Sequence, residues 1–193
     1  MITAAGTTGH ERTTRALRLA SLLFSGVFAG FLVAVLVLEL SLRRFDGAVY
    51  TQVRQVELVR LDDLASGTLL PALLITATLT AMALRPRGPA LWPTATALVL
   101  LLSVLVTTLV LNLPVNADQL DWQVQAPPAD WADVRDRWQL AHAVRTGAAL
   151  AAFGLLSWAA MSSASTGHRP SAPPSPAQVP GKAGPKRVME ESA

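Results

Sequence analysis

The run Leu19-Ala-Ser-Leu-Leu-Phe-Ser-Gly-Val-Phe-Ala-Gly-Phe-Leu-Val-Ala-Val-Leu-Val-Leu38 contains no charged residue. About 20 residues rising 1.5 Å each match the roughly 30 Å hydrocarbon layer of a bilayer. A secretory signal has a shorter apolar region of about 7–15 residues, followed by a small-x-small cleavage site. Here the run leads instead into Glu39-Leu-Ser-Leu-Arg43-Arg44. It reads as an uncleaved membrane helix.

Three further runs repeat the pattern, giving spans at about 19–40, 64–84, 91–113 and 140–161. Trp92 and Trp158 stand near span ends, where tryptophan anchors at the lipid–water boundary. Of the 193 residues 51% are apolar and only 15% charged, against roughly a quarter charged in soluble domains. The expected fold is all-α, an integral membrane four-helix bundle running up-down-up-down. Residues 1–16 form an N-terminal segment and 17–161 the membrane domain. The Pro/Ser/Ala-rich basic stretch 162–193 buries too little apolar surface to fold, and is expected to be a disordered tail.

The formal net charge is +3. Its basic residues flank the apolar runs, which suits membrane topology and not nucleic acid. Arg12, Arg15 and Arg18 precede the first span, Arg85 and Arg87 separate the second and third, and Lys182, Lys186 and Arg187 follow the fourth. Both termini are therefore expected to be cytoplasmic in a bacterial plasma membrane, although Arg43, Arg44, Arg54 and Arg60 in the first connection argue the other way. In that connection Val49, Val53, Val56 and Val59 suggest an amphipathic interfacial helix. Ser25-Gly26 and Ala29-Gly30 place small residues one turn apart, with Gly26 and Gly30 a small-xxx-small pair, a stripe suited to close approach of another helix. Absent cysteine excludes disulfides and thiolate metal sites.

Polar side chains at membrane depth are costly and point to function. Asn112 and Asn116 lie four apart across Pro114, so they share a face if the helix continues and line a turn if it stops. Their amides suit a carbonyl or hydroxyl ligand; capping of a helix end is the alternative. Trp138, His142 and Arg145 recur at i, i+4 and i+7, on one helix face. They combine an aromatic wall, a base titrating near neutrality and a permanent cation. The alternative makes Trp138 an interfacial anchor and Arg145 a snorkelling side chain. Glu39 either pairs with Arg43 one turn on or faces inward toward His142 or Arg145. His10-Glu11 lacks the second histidine of a metalloprotease helix, and no metal site is expected.

A third span closing on Thr107-x-x-x-x-Asn112-x-Pro114-x-Asn116, and a fourth opening on Trp138-x-x-x-His142-x-x-Arg145, resemble the anthrone-oxygenase-like family of small four-span membrane proteins. The resemblance covers roughly residues 17–161. It implies an oxygenase or monooxygenase that needs no cofactor or metal and joins molecular oxygen to a hydrophobic aromatic or polyketide-like molecule. By that likeness His142 removes a proton, and Arg145, Asn112 and Asn116 hold the resulting oxyanion, with Trp138 and Glu39 completing the substrate site. The alternative is a non-enzymatic membrane module that binds a hydrophobic ligand or a partner protein.

Overall fold

The computed structural model describes residues 4–84, 88 and 90–165. The basic turn at Arg85 and Arg87, and residues 166–193 of the expected disordered tail, lie outside them. Among the described residues the chain forms α1 (Ala4–Leu42), α2 (Gly47–Leu58), α3 (Leu61–Leu84), α4 (Leu91–Thr107), a π-helical turn (Thr108–Asn112), α5 (Leu113–Leu120) and α6 (Trp131–Ser165). Four rods are long and apolar enough to cross a membrane: Glu11–Leu42, Leu61–Leu84, Leu91–Leu120 and Trp131–Ser162. Around the bundle α1 packs on α3 and α6, and α4 packs on the same two helices. This is the up-down-up-down four-helix arrangement.

Its centre is filled at helical spacing by Phe28, Leu32, Leu69, Leu73, Leu101 and Leu156. Leu23, Val37, Leu74, Val99 and Trp158 are exposed on the outer faces. An apolar outside and an apolar inside suit lipid, where helix–helix packing comes from close fit instead of water exclusion. On α1 the close approach involves Gly26, where an added Cβ would lie 3.1 Å from the Phe153 ring of α6. Gly30 faces open space. Of the small-residue stripe, Ser25, Gly26 and Ala29 therefore take part in packing and Gly30 does not.

The rods differ from the expected spans at their ends. The first is helical from Ala4, and the fourth starts at Trp131, ahead of residue 140. Asp133 in the first turn of α6 suits the partial positive charge of a helix N-terminus. The third does not stop at 113. A π-turn carries one more residue per hydrogen-bonded ring than an α-turn, and it shifts the register so that Pro114 falls in the first turn of α5. There the missing N–H has no intrahelical partner to lose.

α2 closes the end of the bundle where α1 finishes and α6 begins. Asp46 caps it, its carboxylate accepting from the Val49 N–H at 3.0 Å. It is amphipathic, as the valine spacing suggested. Tyr50, Thr51, Arg54 and Glu57 are buried, while Val49, Val56 and Val59 are exposed. A Cβ on Gly47 would meet Pro127 at 2.8 Å and the Trp131 ring at 2.9 Å. Gly47→Ala should therefore destabilise the protein by about 1–3 kcal/mol. Gly30→Ala should be neutral or slightly stabilising, by at most about 1 kcal/mol. Thermal unfolding in detergent measures both.

Candidate functional site

Arg54, only 2% exposed, projects from α2 into a ring of acceptors. Its Nη1 donates to Glu57 Oε2 at 2.7 Å and lies 3.1 Å from Glu39 Oε1. Its Nε donates to Gln119 Oε1 and its Nη2 to Asn116 Oδ1, both at 3.0 Å. The guanidinium carbon stands 4.1 Å from the centre of the Trp138 ring. A guanidinium has five donors in a fixed plane and an aromatic-compatible face. Here α1, α2, α5 and α6 each supply part of its surroundings.

The partners are themselves held. Gln119 Nε2 donates to the Tyr50 hydroxyl at 3.1 Å. Gln139 Nε2 donates to the backbone oxygen of Glu39 at 2.8 Å and to its Oε2 at 3.0 Å. The Trp138 indole N–H donates to Asn116 Oδ1 at 2.8 Å, and Asn116 Nδ2 donates to Asp62 at 3.3 Å. Outside the spans, burial raises the pKa of Glu57, an effect Arg54 opposes. Burial, with help from the charge of Glu39, also raises that of the Tyr50 phenol.

Beside this cluster stand His142 and Arg145. The His142 ring stacks on Trp138, centroids 4.8 Å apart and planes within 8°. His142 Nε2 is 3.0 Å from the Leu32 carbonyl. A carbonyl only accepts, so Nε2 carries the proton and the neutral ring has its lone pair at Nδ1. Nδ1 has no partner. Arg145, one turn further along α6 and 6% exposed, has an unpartnered Nε. Both residues line a cavity of about 250 Å³, together with Asn116, Trp138 and Arg54. Its lining is mostly apolar and includes Phe28, Phe31, Leu69 and Leu105.

Of the six residues singled out in the sequence, Asn116, Trp138, His142 and Arg145 meet at this cavity. Trp138 is buried, not an interfacial anchor. Glu39 and Asn112 are not among the cavity's lining residues. Glu39 faces inward, as one reading allowed, but meets Arg54 and Gln139; Arg43 pairs instead with Asp136 at 2.9 Å. Asn112 is buried in the π-turn with both amide atoms unpartnered, and it caps nothing. Among the described residues no three His, Cys, Asp or Glu side chains gather as a metal site.

Sequence reading missed Tyr50, Arg54, Glu57, Gln119 and Gln139. A signal existed for most of them. Tyr50, Arg54 and Glu57 repeat the i, i+4, i+7 spacing of Trp138, His142 and Arg145, and so do Asn112, Asn116 and Gln119. Three polar stripes with one period on three helices are what a shared interior cluster needs.

Arg54→Met should cost about 3–5 kcal/mol, because it leaves buried carboxylates without their cation. Arg54→Lys should recover little of that, since one ammonium cannot reach acceptors spread over a planar fork. Denaturant unfolding of both variants checks this. Glu57 supplies a pH dependence. Its pKa is raised on folding, so its contribution to stability is complete below the unfolded value near 4.5 and is lost as pH climbs through the folded value. The stability of the wild type relative to Glu57→Gln should therefore fall between pH 4.5 and neutrality; a rise would reverse the assignment.

A family model described as anthrone oxygenase matches residues 63–155, a stretch that contains Asn112, Asn116, Trp138, His142 and Arg145. No curated protein and no solved structure matches the chain.

Proposed function

With residues 63–155 matching a family model described as anthrone oxygenase, we propose that the chain is a membrane-embedded, cofactor-independent oxygenase acting on a hydrophobic aromatic substrate. One observation carries the reading. A buried imidazole with a vacant Nδ1 and a buried guanidinium with a vacant Nε line the same apolar cavity.

His142 is the base. The Leu32 carbonyl holds Nε2–H and fixes the tautomer, which leaves Nδ1 to take a proton from a phenolic or C–H acid. The conjugate anion then lies beside Arg145, whose charge stabilises its oxygen in a water-poor site, where such stabilisation is strongest. Trp138 forms one wall. Asn116, already bonded to Trp138, Arg54 and Asp62, is a positioning residue. Glu39 acts through Arg54 in the same way, and no role falls to Asn112.

The electron-rich carbanion reduces molecular oxygen directly. A C–O bond forms, the resulting hydroperoxide loses water, and a CH2 group becomes C=O. One O2 is consumed and one water released per turnover, so oxygen is both oxidant and oxygen donor. In this reading both termini are cytoplasmic, in a bacterial plasma membrane, and the site lies under the outer interface. A module that merely binds such a molecule uses the same pocket, and oxygen consumption separates the two.

Purified protein supplied with an anthrone should consume oxygen at an electrode. His142→Ala should slow this by about 10²–10⁴-fold, the usual worth of a general base, with little change in melting temperature. Uptake unchanged in that variant removes His142 from the mechanism. Wild-type protein that binds the anthrone without consuming oxygen supports the binding module instead.

A further inference from the structure

The cavity's outer boundary is not closed by protein. α3 packs along α4, but it makes little contact with the π-turn and α5 beyond it. Ser66 and Leu70 on α3, and Leu109 and Leu113 across from them, line the cavity and are exposed as well. They define a mouth on the flank of the bundle. Asp62 also lines the cavity, and from there to Leu70 the edge of α3 runs two turns, about 12 Å, along the rod. The flank bearing Leu70, Leu74, Leu109 and Val110 is apolar and exposed, so this mouth faces hydrocarbon.

We propose that this wedge is a lateral entrance, through which a ligand dissolved in the bilayer reaches Arg145 without first crossing water. The proposal rests on the pocket being the ligand site described above, and it names the kind of molecule that fits. A volume of about 250 Å³ is below the roughly 300–1,000 Å³ of drug-sized sites, so the occupant is compact. The wall of Phe28, Phe31 and Leu69 takes a flat apolar body. The buried guanidinium of Arg145, also in the lining, takes one acidic oxygen. A small fused-ring phenol has both parts, and it partitions into lipid.

The chain contains no cysteine, so a Leu70→Cys/Leu109→Cys pair can be bridged with a methanethiosulfonate cross-linker and released by reductant. The probe is 1-naphthol, followed in phosphatidylcholine nanodiscs by stopped-flow quenching of tryptophan fluorescence. Bridging should slow both association and release at least ten-fold while leaving Kd within about two-fold, and reductant should restore the rates. A Leu70→Phe/Leu109→Phe variant, which fills the mouth without a bridge, should show the same slowing. Val110→Phe, on the π-turn but outside the cavity lining, should exchange like wild type. Unaltered exchange in the bridged and Phe-filled proteins overturns the entrance, and so does failure of the wild type to bind the probe. Oxygen uptake plays no part in this readout. A pocket that fills through the mouth yet consumes no oxygen overturns the oxygenase reading and leaves the entrance standing.

Discussion

Arg54 carries a permanent charge at 2% exposure, at the end of a bundle whose interior is otherwise largely apolar. An ion withdrawn from water without partners costs several kcal/mol, and the cost is met only by acceptors in good geometry. Those acceptors come from Glu39 on α1, Glu57 on its own helix, and Asn116 and Gln119 on α5, with the Trp138 face from α6. Shifting any of these helices by a turn removes an acceptor. The cluster therefore sets the register between helices that apolar packing alone would let slide, since lipid gives leucines no preferred partner.

The same geometry prepares the pocket. Trp138 lies against the Arg54 guanidinium and the His142 ring, so the fixed cluster dictates where the imidazole stands. The Leu32 carbonyl fixes the remaining rotation. The Arg54 guanidinium is bonded to Glu57, Gln119 and Asn116. His142 Nδ1 and Arg145 Nε, on lining residues of the cavity, have no partner. A paired network is rigid, and an unpaired group in a cavity has binding capacity in hand.

The four rods were legible because hydrocarbon imposes one rule along the whole chain: every backbone group must bond within its own helix, and the side chains must be apolar. Trp138, His142 and Arg145 were legible for a related reason, since the helical period puts them on one face wherever that face points. The valine spacing gave α2 as an amphipathic helix, but not that its polar side, Tyr50, Thr51, Arg54 and Glu57, goes into the protein while Val49, Val56 and Val59 stay exposed. Amphipathicity gives the existence of two faces and not which one is buried. Pro114 left two outcomes open, and the π-turn supplied one that neither contained in full: the rod continues, but Asn112 and Asn116 are treated differently, one orphaned and one bonded three ways.

The amino-acid sequence by itself determined the number of spans, their alternation and the helix face that carries the imidazole, all of which depend only on near neighbours along the chain. Tertiary structure alone decided that Arg54 belongs inside, that Glu39 answers it across 15 positions of sequence, and that Asn116, Trp138, His142 and Arg145 line one cavity. These depend on which faces meet. A buried charge is tolerable only in the one assembly that surrounds it with acceptors, and no local pattern states where those acceptors come from.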